Sequence, residues 1–237
     1  MSLPIINTPT YSLNIPSTDQ EITYRPFLVK EEKLLLIAQE TGDDSSIYNA
    51  IRNIIKQCVT EELDFDRLPM FDLEYIFLNV RAKSVGEVAK LKVKAPDDEE
   101  TLVDIEVDLT EVVVQMPEGH DPRIELTDEI GLLMTYPTMS LAGNLNKKGK
   151  GTQADQLFDM ICGCMYQIWQ GEEVFDCMDY TVKEKMAFLD SLNHQQFEKI
   201  QNFFNTMPTL KHDVEVYNPK TKKKSTLTLE GMNSFFY

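Results

Sequence analysis

The spacing of apolar positions changes period several times along the chain, and each change predicts an element. Residues 10 to 27 alternate: Tyr11, Leu13 and Ile15, then Ile22, Tyr24 and Pro26, flank the turn-rich Pro16-Ser17-Thr18-Asp19-Gln20, the pattern of an N-terminal β-hairpin. From Val29 to Glu40 strong helix formers take over and stop at Gly42. Asp43-Asp44-Ser45-Ser46 supplies N-cap candidates for a second helix, whose Ile47, Ile51, Ile54, Ile55, Cys58 and Val59 fall on one stripe. After Pro69, Met70, Leu73, Phe77 and Val80 mark one face of a third helix. Tyr75, Ile76 and Leu78 are apolar as well, which predicts burial on two sides, and Gly86 is its expected end.

From Glu87 the period shortens toward two. Leu91, Val93 and Ala95, then Leu102, Ile105 and Val107, bracket the acidic loop Pro96-Asp97-Asp98-Glu99-Glu100; Val112 to Val114, Arg123 to Leu126 and the stretch to Tyr136 add candidate strands. Gly143 to Gly151 is a polar break, read as a flexible linker or binding loop. Thr152 and Asp155 then make a capping-box-like start for a helix carrying Leu157, Ile161, Cys164, Met165 and Ile168, widened by Phe158 and Trp169. Thr181 and Glu184 form a second box before Met186, Leu189 and Leu192, and Asn193 opens a helix with Phe197, Ile200, Phe204 and Met207. Strand character returns with Val214 and Val216, the basic loop 219–224, and Leu227 and Leu229.

The expected fold class is α+β: antiparallel β-hairpins and a small central sheet combined with about six helices. In chain order the expected parts are an N-terminal hairpin plus helices (1–86), a β-rich centre (87–142), a linker or loop (143–151), and a helical section with a C-terminal hairpin (152–237). The last part can also form one integrated domain with the first.

The hairpins LKVKAPDDEETLVDIEV and VEVYNPKTKKKSTLTLE each place a proline at the strand exit, a charged loop, and a Thr-Leu entering the return strand. Two ordinary hairpins with solvated turns explain this, and a repeated module is the alternative. One tip is acidic and the other basic, so such tips could steer subunits into head-to-tail contact, an effect salt weakens. Lys222, Lys223 and Lys224 are therefore candidate protein-contact residues.

Charge and composition remove several function classes. With 23 Lys plus Arg against 39 Asp plus Glu in 237 residues the formal charge is −16, which argues against a broad nucleic-acid surface. The longest apolar run, Leu34 to Ala38, falls far short of the roughly 18 to 20 residues that span a bilayer, so no membrane span is expected. The N-terminus lacks the basic start and apolar core of a secretion signal. Cys58, Cys162, Cys164 and Cys177 fit no zinc spacing and read as reduced, buried thiols.

Motifs for catalysis are missing as well. Gly143 to Gly151 has one residue too many before its Gly-Lys pair, and Gly151 stands where a phosphate-binding loop needs Ser or Thr. Cys162 and Cys164, two apart on a helix, point about 200° away from each other and cannot share an ion. His120, His194 and His212 form no ligand pair, with His194 a solvent-facing first-turn residue. The acidic run 97–100 lacks the alternating ligands and central glycine of a calcium loop, and Ser84 sits in no nucleophile elbow. No catalytic residue, metal ligand or cofactor is assigned.

Leu3 to Ala38 reads LPIINTPTYSLNIPSTDQEITYRPFLVKEEKLLLIA, Phe71 to Val93 reads FDLEYIFLNVRAKSVGEVAKLKV, and Thr228 to Phe236 reads TLEGMNSFF. In these stretches, and in order and length over most of the chain, the sequence resembles the T-even-like bacteriophage baseplate hub family, small proteins of phages with contractile tails. Tyr24 to Lys33 and Arg81 to Gly86 carry much of the likeness, because packing alone does not dictate such surface-type residues. Some members carry cysteine pairs in the central hairpin, suggestive of a zinc-ribbon-like knuckle; this sequence has none there, so strand pairing must hold that hairpin unaided.

The resemblance implies a non-enzymatic virion component of the tail baseplate, assembled in the host bacterial cytoplasm. It would contact other baseplate hub and tail proteins, with the tape-measure protein among the candidates, as an oligomer once assembled. A transient assembly chaperone for hub or tape-measure proteins is the alternative, and an enzyme with an unrecognised site a weaker one. Arg25, Lys30, Arg81 and Lys83 are the motif cations implied as contact or salt-bridge residues, against the plainer reading that they solvate helix ends or pair internally.

Overall fold

The computed structural model describes residues 7–41, 44–98, 100–148 and 152–235. The first half runs β1 (Tyr11–Asn14), β2 (Glu21–Tyr24), α1 (Val29–Thr41), α2 (Asp44–Cys58), α3 (Met70–Val85), β3 (Val88–Lys94), β4 (Leu102–Asp108) and β5 (Val113–Gln115). The second runs β6 (Arg123–Glu125), β7 (Ile130–Met134), α4 (Met139–Lys148), α5 (Gln153–Cys164), β8 (Met165–Gln170), β9 (Glu173–Asp176), α6 (Val182–Asp190), α7 (His194–Thr206), β10 (Thr209–Asn218) and β11 (Lys223–Glu230). Among the described residues, seven α-helices and several small antiparallel sheets make the fold α+β.

Contacts divide the chain into two compact units, and neither is a continuous stretch: residues 1–64, 71–115 and 209–237 form the first, and 65–70 with 116–208 the second. This differs from the segmentation read along the sequence. The β-rich centre is shared out, with β3 to β5 in the first unit and β6 and β7 in the second. The C-terminal hairpin leaves the helical section because β10 pairs with β5, Leu210 opposite Val114. Residues 143–148, read as part of a linker, are the second half of α4; 149–151 lie outside the described residues.

In the first unit, β1 and β2 pair from Tyr11↔Tyr24 to Asn14↔Glu21, so the hairpin is where the alternation predicts it. Ile15, Ile22 and Tyr24 are buried from it. Sheet β11-β10-β5 and hairpin β3-β4 enclose a core of Leu91, Val107, Leu109, Val112, Leu210, Val216 and Leu229, to which α3 adds Leu78 and Ala82. Leu73, Ile76, Phe77 and Val80 are equally buried, so α3 is covered on more than one side, as its apolar circumference requires.

In the second unit, sheet β6-β7-β8-β9 buries Ile124 and Leu132 in one core with Ile161 and Cys164 of α5, Leu189 of α6, and Ile200 and Phe203 of α7. The capping boxes at Thr152/Asp155 and Thr181/Glu184 form as expected, and Asn193 makes a third with Gln196. The helix from Thr152 is shorter than its spacing suggests. It ends at Cys164, and Ile168 and Trp169 belong to β8, whose residues 165 to 170 pair with β7 and with β9 across the Gly171 turn. Trp169 lies over Gly131, where any Cβ would collide with the indole, and the Arg123 guanidinium sits 4.0 Å from its ring centroid.

One buried carboxylate fastens the β1–β2 turn. Asp72, fully buried in the first turn of α3, accepts from the Ser17 backbone N–H at 3.1 Å and from the Ser17 hydroxyl. Burial pushes its carboxyl from 3.8 up to about 6 against the pull of those two bonds. Glu74, on the same helix, is raised by burial to about 7. The folded chain therefore holds the Asp72 proton more tightly than the unfolded chain, and stability from this group falls as pH rises from 3.8 to about 6.

Asp72→Asn keeps the shape and removes the charge. The variant should match the parent near pH 4 and exceed it at pH 7 by up to about 2 kcal/mol, once the helix N-terminus is credited with part of the carboxylate's stabilisation. Urea unfolding at the two pH values measures the difference, and parallel pH dependences for the two proteins would contradict the assignment.

Candidate protein-contact site

The motif cations divide into those that brace the fold and those that face solvent. Arg25 follows β2 and donates from Nη2 to Glu31 Oε1 at 2.9 Å and to the Gln57 carbonyl at 3.0 Å, and from Nη1 to the Pro26 carbonyl at 2.9 Å. Glu31 has no exposed side-chain surface, and its other oxygen accepts the Leu28 backbone N–H at 2.8 Å, capping the start of α1. Burial pushes the Glu31 carboxyl up, but the bonds from Arg25, Leu28 and Lys30 outweigh it and hold the group below its ordinary value. Lys30 reaches Glu31 at 3.2 Å from a largely exposed position.

The second string meets the first here. Ser84 Oγ accepts the Phe27 backbone N–H at 2.9 Å while its own hydroxyl donates to the Val80 carbonyl. Lys83 pairs with Glu87 at i,i+4 and lies 5.3 Å from the Tyr11 ring centroid, and Tyr11 faces Tyr24 across the hairpin. Burial of Tyr24 pushes its hydroxyl to about 12, with Tyr11, Tyr75 and Glu87 adding to the shift. Arg81 is half-buried, and burial lowers its guanidinium from the usual value.

The oppositely charged hairpin tips lie against each other within one chain. Asn218, buried at the end of β10, donates to Asp97 Oδ1 at 2.8 Å and accepts the Lys220 N–H at 2.9 Å; the Thr221 hydroxyl donates to Asp97 Oδ2. Lys220 approaches Asp98 at 3.9 Å and Glu100 at 3.7 Å. The bonds from Thr221 and Asn218 hold Asp97 below its usual range, and bonds from Thr101 do the same for Asp98. Lys224 pairs along the hairpin with Glu215 at 2.7 Å. Lys222, at positive φ in the turn, and Lys223 are exposed and make no ion pair among the described residues.

Other reactive groups are arranged for packing. No disulfide joins the four buried cysteines; burial pushes Cys58 to about 11 and Cys164 to about 12 and raises Cys177, so none of these three is poised as a thiolate. His194 sits in the first turn of α7, 3.4 Å from Glu198 and mostly exposed. Sequence spacing gave no hint of the role of His120, whose ring bridges Thr206 and Tyr136 at 3.0 Å each and packs on Phe203; burial lowers its pKa. Two clefts of about 490 and 480 Å³ lie in the second unit. The first is lined by Arg123, Gln195, Lys199 and Asn202, with Phe203 beneath, and the second by Ile168, Phe175, Tyr180 and Phe188; both are open to solvent. Among the described residues no three His, Cys, Asp or Glu side chains converge as a metal site.

Residues 8–237 match the family model described as T4 bacteriophage base plate protein. The chain belongs to that family. Neither the curated proteins nor the solved structures offer a match. In this base plate family member segments 11–33 and 81–87 are in contact, through Phe27 and Ser84 and through Tyr11 and Lys83. A base plate protein works among other phage tail proteins, and no described helix is long and apolar enough to cross a membrane.

Arg25→Ala orphans one partner of a buried pair, a change that costs about 3–5 kcal/mol where nothing else compensates. Lys30 remains beside Glu31, so a loss near 3 kcal/mol is expected, read as a lower far-UV circular dichroism midpoint in urea. Lys30→Ala should shift that midpoint much less, its pairing being solvent-exposed. Equal effects of the two substitutions would contradict the internal role assigned to Arg25.

Proposed function

We propose that this chain is a non-enzymatic structural subunit of the hub of a contractile-tail baseplate, assembled in the bacterial host and acting through contacts with other tail proteins. The observation that carries the reading is how the charged and polar residues of segments 24–33 and 81–87 are used. Arg25, Glu31, Lys83 and Ser84 brace a hairpin against two helices instead of converging on a cleft. A preorganised scaffold of this kind loses little on docking, because its contact surfaces are already ordered. The basic tip contributes through Lys222 and Lys223, the two candidate lysines with no ion pair among the described residues, while Lys224 and Lys220 are occupied within the chain. Its reach is electrostatic, so it biases encounter and register more than final affinity.

Counting copies by quantitative mass spectrometry of purified tails tests the structural role. A fixed stoichiometry with other baseplate proteins is expected; absence from finished tails, with recovery only from assembling cells, would establish the transient chaperone instead. For the basic tip, Lys222→Glu with Lys223→Glu should slow incorporation of the chain into tails at low salt, with the difference shrinking near 0.5 M salt as screening shortens to a few ångströms. Unchanged incorporation at low salt would remove the tip from the contact surface.

A further inference from the structure

Helix α1 is apolar on two sides. Its inner side, with buried Glu31 and Ala38 and half-buried Leu35, packs on α2. On the outer side Val29 is 79%, Leu36 54% and Ile37 50% exposed, a concentration of large apolar side chains that a solvated helix face does not need. The charges on that face run against the helix's own dipole in its last turn: Glu40 stands near the C-terminal end, where no basic residue accompanies it, and Lys33 lies two turns earlier on the same stripe.

Reversed about a point between Leu36 and Ile37, this face is complementary to itself: Lys33 falls opposite Glu40 and Leu36 opposite Ile37. We propose that the outer face of α1 is a two-fold interface at which a second copy of this chain lays its own α1 antiparallel. A two-fold axis between Leu36 and Ile37 sets Leu36 of each copy against Ile37 of the other. It also brings Lys33 of each copy opposite Glu40 of the other and places each Glu40 toward the positive half of the neighbouring helix dipole. The overlap is about ten residues, or roughly 15 Å of helix, which buries well under the ~800 Å² per partner of a standard stable interface. The pair is therefore weak in solution, with a Kd of roughly 10–100 μM, and gains strength where several copies are held close together.

The proposal stands apart from the hub reading, since a chain that fails to pair with itself would still be counted in purified tails. Sedimentation equilibrium of the purified full chain across ~1–500 μM tests it. A concentration-dependent monomer–dimer equilibrium is expected, weakened at least tenfold by Leu36→Asp and by Glu40→Lys, and recovered by combining Lys33→Glu with Glu40→Lys. Circular dichroism checks that each variant stays folded, which the exposure of these positions favours. A monomer throughout that range would overturn the proposal. So would a dimer indifferent to Leu36→Asp, or a charge exchange that fails to recover what Glu40→Lys loses. If Leu36→Asp leaves self-association unchanged but abolishes recovery of another tail protein from infected cells, the face belongs to that protein and the proposal fails.

Discussion

The first unit hangs on a single carboxylate removed from water. Glu31 caps α1, receives the Arg25 guanidinium that follows β2, and through Arg25 is tied to the last carbonyls of α2. Burying such a charge is costly, and here three donors offset the loss of hydration. Geometry follows from that requirement: the hairpin exit, the start of one helix and the end of the next must meet at one point for the carboxylate to be satisfied. Asp72 fastens the other end of the same hairpin through Ser17, so the hairpin is held at both tips by buried acids on helices. Glu31 is held below its ordinary pKa and Asp72 above it, because only Glu31 has cations to pair with.

What the sequence made legible was local. Thr152 with Asp155 and Thr181 with Glu184 were readable as helix starts because a capping box closes within four residues. The alternation around Pro16 to Gln20 sufficed for the first hairpin for the same reason. What failed was long-range. Ile161, Cys164 and Ile168 satisfy helical spacing, yet β8 is decided by Leu132 and Leu133 of β7, which no local window contains. Likewise, nothing near Thr209 announces that Val114 will pair beside it.

The candidate contact residues were harder to read, because a charged side chain looks the same in a sequence whether it faces water or a buried partner. Arg25 and Lys83 proved to have partners inside the fold, and the acidic and basic tips proved to complement each other in one chain. Leu28 at the position before α1 has no capping side chain, so nothing in the sequence marked Glu31 as the acceptor of the Leu28 N–H. The exposed Leu34, Leu36 and Ile37 of α1 carried the opposite message: hydrophobic where solvent exposure alone asked for polarity.

The pairing of β5 with β10 has a consequence for how the chain is made. Synthesis is vectorial, so β5 leaves the ribosome with its sheet neighbour still unwritten, and the intervening segment must emerge before the last strands can be added. Most of the second unit, being contiguous from 116 to 208, can organise during that wait. A stop codon that cost only the final thirty or so residues would then spare the later-numbered unit and cripple the earlier one, an inversion of the usual expectation that truncation harms what lies nearest the break.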